Sequence, residues 1–172
     1  LMVLNDELRA ALDTGCRRAE RIDDTSSAIV EMIRPTLDYA NEHAHNGVAY
    51  QRELLFGPAD DHYRADGLAL VAEMQRRIAA RLTTDAERRG LVADHDRALL
   101  VANMVFAVTH LAVARPTTGA HADRDALSDI ATQVSMAVDG YFTALSGPPQ
   151  TRSTQTRSTQ IRPSVPEPSD RT

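Results

Sequence analysis

A chain of 172 residues, 42% hydrophobic and 25% charged, has the size and balance of one ordinary globular domain, which excludes a disordered or fibrous class. Its single cysteine, Cys16, excludes an internal disulfide framework and favours a reducing compartment. All 19 basic residues are Arg and face 24 acids, for a net charge of −5; the stretch after Leu145 is itself basic, so the body is more acidic still, which argues against a self-sufficient nucleic-acid binder.

The opening Leu1-Met2-Val3-Leu4 has neither a basic leader nor a long apolar core and does not read as a secretory signal. Helical patterning begins at once and continues almost throughout, without the sustained alternation that marks strands. The expected fold class is all-α, a bundle of about six helices. The first is predicted over 5–22, with Asn5 as N-cap, Asp6 and Glu7 in its first turn, Leu8, Leu12 and Ala19 on one face, and Gly15 as a weak point. Asp23-Asp24-Thr25-Ser26 ends it and caps a second helix over 26–42, whose stripe is Ile29, Met32, Ile33, Leu37 and Ala40. Pro35 lies inside that helix and is expected to kink it. Gly47 reads as a left-handed cap before a short helix over 48–56 that stops at Gly57-Pro58.

A fourth helix over 60–82, capped by Asp60 and Asp61, carries Leu68, Val71, Met74, Ile78 and Leu82, and a polar connection or a helical turn runs from Thr84-Asp85 to Ala93. The fifth covers 94–114 and is broken by Arg115-Pro116-Thr117-Thr118-Gly119. Its apolar stretch, 98–114, is 17 residues long and is interrupted by Asn103, Thr109 and His110, short of the roughly 20 that span a bilayer, so it reads as a buried helix. The sixth, over 123–145, aligns Leu127, Ile130, Val134, Val138, Tyr141 and Leu145, and should pair with the fifth as an antiparallel hairpin. From 146 to 172 the chain repeats TRSTQ twice and holds almost nothing to bury, so it is expected to be a disordered tail beside a helical domain at 1–145.

No phosphate loop, nucleophile elbow, dinucleotide fingerprint, HExxH or CxxC occurs. Cys16 reads as an inert thiol. His43 and His45 offer two ligands where a structural zinc needs four, and His62 and His95 sit in helix N-terminal turns, so neither metal nor cofactor is expected. His110 stands out because it interrupts an apolar helix and shares a face with Asn103 and Phe106. Either these side chains bond one another's surroundings in a dry core, or they line a pocket, which is typically apolar with a few placed polar groups. The Pro35 bend leaves room nearby, Tyr39 adds a ring and a hydroxyl one turn on, and Met32, Met74 and Met104 are adaptable. The candidate ligand-binding set is Met32, Tyr39, Met74, Asn103, Phe106 and His110. The sixth helix also carries a second small and apolar set, Ala131, Ser135, Met136 and Gly140. With Leu100, Met104, Ala107, Val108 and Leu111 on the fifth, this exceeds what one bundle can hide and points to an oligomer.

The segment Leu4-Asn5-Asp6-Glu7-Leu8-Arg9-Ala10-Ala11-Leu12 resembles the start of the fourth helix in tetracycline-repressor (TetR) family regulators. The Pro-containing helix, the short helix ending at Phe56-Gly57, the long pair at the end and Val138-Asp139-Gly140-Tyr141-Phe142 are similar to that family's C-terminal half, over about residues 4–145. The resemblance implies a small, often apolar effector held within the bundle, and a homodimer in which 94–114 and 123–145 pair with their copies. The expected interface is Leu100, Met104, Ala107, Val108 and Leu111 with Ile130, Val134, Val138 and Tyr141. It implies a cytoplasmic transcriptional repressor in which the effector moves the first helix. The family's N-terminal helix-turn-helix is not in this sequence, so DNA is expected as a partner only where that domain is present. Two other classes stand beside this one: a stand-alone helical interaction module without a ligand, and a small helical enzyme using His110 or Tyr39 as acid or base. The second is weakly supported, because His110 has no motif partner, and the chain is expected not to be an enzyme.

Overall fold

A computed structural model describes residues 2–114 and 122–147; the breaker at Arg115-Pro116 and the TRSTQ tail lie outside the described residues. Those residues form six helices and no strand, the expected all-α bundle: α1 (Met2–Ala19), α2 (Thr25–Glu42), α3 (Ala44–Phe56), α4 (His62–Arg88), α5 (His95–Ala114) and α6 (Ala122–Ser146). None of them is long and apolar enough to cross a membrane.

Aspartates start three of the helices, because a short carboxylate reaches an N–H that the first turn leaves open. Asp24 accepts from Ser27 N at 2.7 Å, Asp61 from Tyr63 N at 2.8 Å and Asp94 from Arg97 N at 3.0 Å. The bonds from Ser27 hold the Asp24 carboxyl below its ordinary range. A depressed acid stabilises the fold above its unfolded pKa of about 4, and that contribution is lost as pH falls through the lower folded value. Asp24→Ala should therefore cost about 1 kcal/mol at neutral pH, and urea melts of variant and parent should converge as acid protonates the cap.

Two local expectations change and a third is decided. Asn5 is not an N-cap: α1 begins at Met2, and Asn5 lies inside it, buried. Gly47 is not a left-handed cap, because α3 already starts at Ala44 and runs through it. Of the two readings of the stretch from Thr84, the helical one holds as far as Arg88, so α4 is longer than its apolar stripe. The left-handed glycine is Gly90, at φ 72°. With Gly90 N bonded to Glu87 O and Leu91 N to Ala86 O, it closes α4 with the paired bonds of a Schellman cap.

Helix α2 is the centre of the bundle and touches all five others. Ile29 and Ile33 from α2, Ile78 and Leu82 from α4, Val105 from α5 and Val134 and Val138 from α6 form the most deeply buried layer. The approach of α1 to α2 depends on Gly15, since an added Cβ would stand 2.8 Å from Glu31 O and closer still to Met32 O. Pro35, four residues on from Glu31, has no N–H for that carbonyl, and α2 continues through it to Glu42.

Polar ties fix the ends. Asp85, buried near the end of α4, pairs with Arg81 at 2.6 Å and Arg88 at 3.1 Å and accepts from the Thr25 hydroxyl at 2.8 Å. Arg81 in turn donates to Ala19 O at 3.0 Å and to Ile22 O, so one ion pair closes α1 and anchors the start of α2.

A candidate ligand cavity and an uncovered helix face

Five helices each present one stripe to a common space. From α1 come Leu4, Leu8 and Leu12, one turn apart; from α4, Gly67, Leu70, Val71 and Met74; from α2, Thr36 and Tyr39, just past Pro35; from α3, Tyr50 and Leu54; and from α5, Phe106, Thr109 and His110. They bound a mostly apolar cavity of about 100 Å³. At Gly67 the missing side chain is structural: an added Cβ would stand 2.7 Å from the Tyr50 hydroxyl and 2.9 Å from Leu54.

The polar groups around this space are largely engaged. Tyr50 donates to Asn5 Oδ1 at 2.8 Å and Asn5 Nδ2 donates to Tyr63 O at 2.9 Å, a clamp joining α1, α3 and α4. Burial pushes the Tyr50 phenol up to about 12. The Tyr39 hydroxyl donates to the Glu7 carboxylate. Burial and the adjacent negative charge push that phenol up to about 12 as well. Thr109 donates to Val105 O at 2.8 Å within its own helix. The His110 ring lies 5.2 Å from that of Phe106, and burial lowers its pKa, so at pH 7 it faces the cavity as a neutral ring.

An outer cleft of about 520 Å³ adjoins the cavity, with Leu4, Tyr39 and Tyr50 bordering both. Glu7 and Glu53 line the cleft, and among the described residues no basic side chain does.

Of the six residues that the sequence suggests for a ligand, Tyr39, Met74, Phe106 and His110 meet at this cavity. Asn103 does not: at 100° per residue it lies about 60° farther round α5 than Phe106, on the solvent side, and it is exposed. Met32 is on the same stripe as Thr36 and Tyr39 but one turn deeper, where Gly15 draws α1 against α2, and it is buried in the core. Leu4, Leu8, Leu12, Tyr50, Leu54, Gly67, Leu70 and Val71 line the cavity too and were not singled out, because a leucine stripe reads the same whether it meets a neighbour or an empty space. Asn5, inside an apolar stripe, was the one available signal.

The second feature is an apolar face on the outside of α5 and α6. Leu100, Met104, Leu111 and Met136 are 61, 56, 55 and 69% exposed, with Ala107 exposed and Val108 half-buried beside them. Ala131, Ser135 and Gly140 continue it along α6, and a shallow groove of about 320 Å³ lies between Met104, Val108, Gln133, Met136 and Ala137. The other four expected interface residues are not there. Ile130, Val134, Val138 and Tyr141 are 3, 1, 2 and 3% exposed and belong to the subunit's own core, because the bulkier of the two α6 stripes packs against α2 and α5.

Cys16 is half-buried, and burial raises its thiol above the ordinary range. Among the described residues no group of three or more His, Cys, Asp or Glu side chains is spaced to hold a metal. No family model, curated protein or solved structure matches this chain.

Proposed function

We propose that this chain is the ligand-sensing and homodimerising module of a TetR-like, cytoplasmic transcriptional regulator, in which a helix-turn-helix on the N-terminal side of α1 would do the reading of DNA. The observation that carries this reading is the cavity enclosed by α1 to α5, apolar with a few fixed polar groups, the composition typical of small-molecule sites. Three successive turns of α1 wall that cavity, so an occupant contacts the helix through which such a regulator would signal. A ligand that prefers one placement of α1 shifts the population towards it by its difference in affinity.

The uncovered face on α5 and α6 supports the second half. Exposed large apolar side chains gathered on one antiparallel pair suit a second copy laid against them as a four-helix interface. The chain should run at twice 18.8 kDa in light scattering. Leu111→Arg or Met136→Arg should give a folded monomer, because both side chains leave the subunit core untouched. Val134→Arg should instead unfold the subunit, since that side chain is 1% exposed. Small apolar molecules should raise the melting temperature of parent and Leu111→Arg alike. A monomeric parent that no small molecule stabilises would favour a stand-alone interaction module.

A further inference from the structure

We infer that the cavity and its outer cleft together select a cationic amphiphile, an alkylammonium whose tail enters the inner chamber while its head stays in the cleft beside Glu7 and Glu53. The inference rests on the ligand-sensing reading above and specifies the class of ligand. The inner chamber, about 100 Å³, is smaller than the roughly 150 Å³ that accommodates a benzene ring, so it takes a slim alkyl tail rather than a broad ring system. The cleft is five times roomier, about 520 Å³, and Leu4, Tyr39 and Tyr50 border both spaces, so one molecule can occupy the two end to end.

Charge then decides the head. Among the described residues, Glu7 and Glu53 are the charged groups lining the cleft, and neither forms an ion pair. Tyr39 lies in the last turn of α2 and Glu53 in the last turn of α3, and carbonyls of both turns are already bonded, Tyr39 O to the His43 ring at 3.0 Å and Leu54 O to Arg64 Nε at 3.0 Å, so the two carboxylates decide the head. The nearby imidazole of His43 stacks on Tyr39 at 4.4 Å without lining the cleft. An anionic head would meet two carboxylates. A neutral head would leave both carboxylates to water. An ammonium head gains from both, and the two tyrosine rings at the border suit a cation as well.

The test is calorimetric titration of the whole chain with three ligands sharing one tail: hexyltrimethylammonium, hexanoate and hexan-1-ol. Hexyltrimethylammonium should bind at least about tenfold more tightly than the other two, and added salt should narrow that preference. Glu7→Gln and Glu53→Gln should each remove most of the preference and leave hexanol binding unchanged. Gln at position 7 keeps an acceptor for the Tyr39 hydroxyl, so α1 stays in place. If hexanol binds and the ammonium binds no better, or if both Gln variants keep the preference, the cationic head is wrong while the apolar cavity stands as a ligand site. If none of the three binds, the sensing reading falls with it.

Discussion

Asp85→Ala should lower the unfolding free energy by about 3–5 kcal/mol, the largest loss expected here from removing a single polar side chain. The Asp85 side chain is 4% exposed and that of Arg81 12%, and they meet at 2.6 Å. Arg81 is also bonded to the carbonyls that end α1, so it cannot swing out to water without opening that cap. Removing the carboxylate strands a buried guanidinium and takes the acceptor from the Thr25 hydroxyl. Asp85→Asn keeps an acceptor for Thr25 and should cost less. Urea denaturation followed by circular dichroism measures both, and a loss below about 1 kcal/mol for the alanine variant would show that the cluster is not the anchor described.

Gly15→Ala should destabilise by about 1–3 kcal/mol even though alanine is the better helix former by about 1 kcal/mol. The atoms an added Cβ would strike are backbone, Met32 O and Glu31 O, and backbone cannot rotate aside as a side-chain tip can. The two helices must move apart along their contact, which loosens Leu12 and Ala19 against α2 and shifts the leucines of α1 that wall the cavity. Gly140→Ala is the matched control. Among the described residues nothing outside its own helix lies within 4 Å of its added Cβ, so it should raise the melting temperature when measured in the Leu111→Arg background, where a second copy is kept away. Equal shifts in the two variants would remove the close crossing as the explanation.

The helices themselves were legible in the chain because their signals are local. Apolar spacing of 3–4 residues, Asp24, Asp61 and Asp94 at helix starts, and Gly57-Pro58 at an end are each read within a turn or two. Where local signals misled, they were ambiguous locally. Asn5 ahead of Asp6 and Glu7 looks like a cap, and only the packing of Tyr50 and Tyr63 around it shows a buried clamp. Thr84-Asp85 reads equally as a connection or a helical turn, and only Arg81, Thr25 and Arg88 converging on Asp85 explain a polar stretch that stays helical.

The sequence alone determined that this is an all-helical chain with more apolar helix surface than one subunit can bury, since periodicity sets the angle of every side chain around its own axis. It could not say what stands at that angle. Tertiary structure decided that Val134 and Val138 face inward while Met136 faces out, that Asn103 is exposed while His110 borders the cavity, and that the leucines of α1 meet a space rather than a neighbour. Each of those outcomes depends on how closely another helix approaches. That distance is set by residues far away in the chain, such as Gly15 beneath the carbonyls of α2.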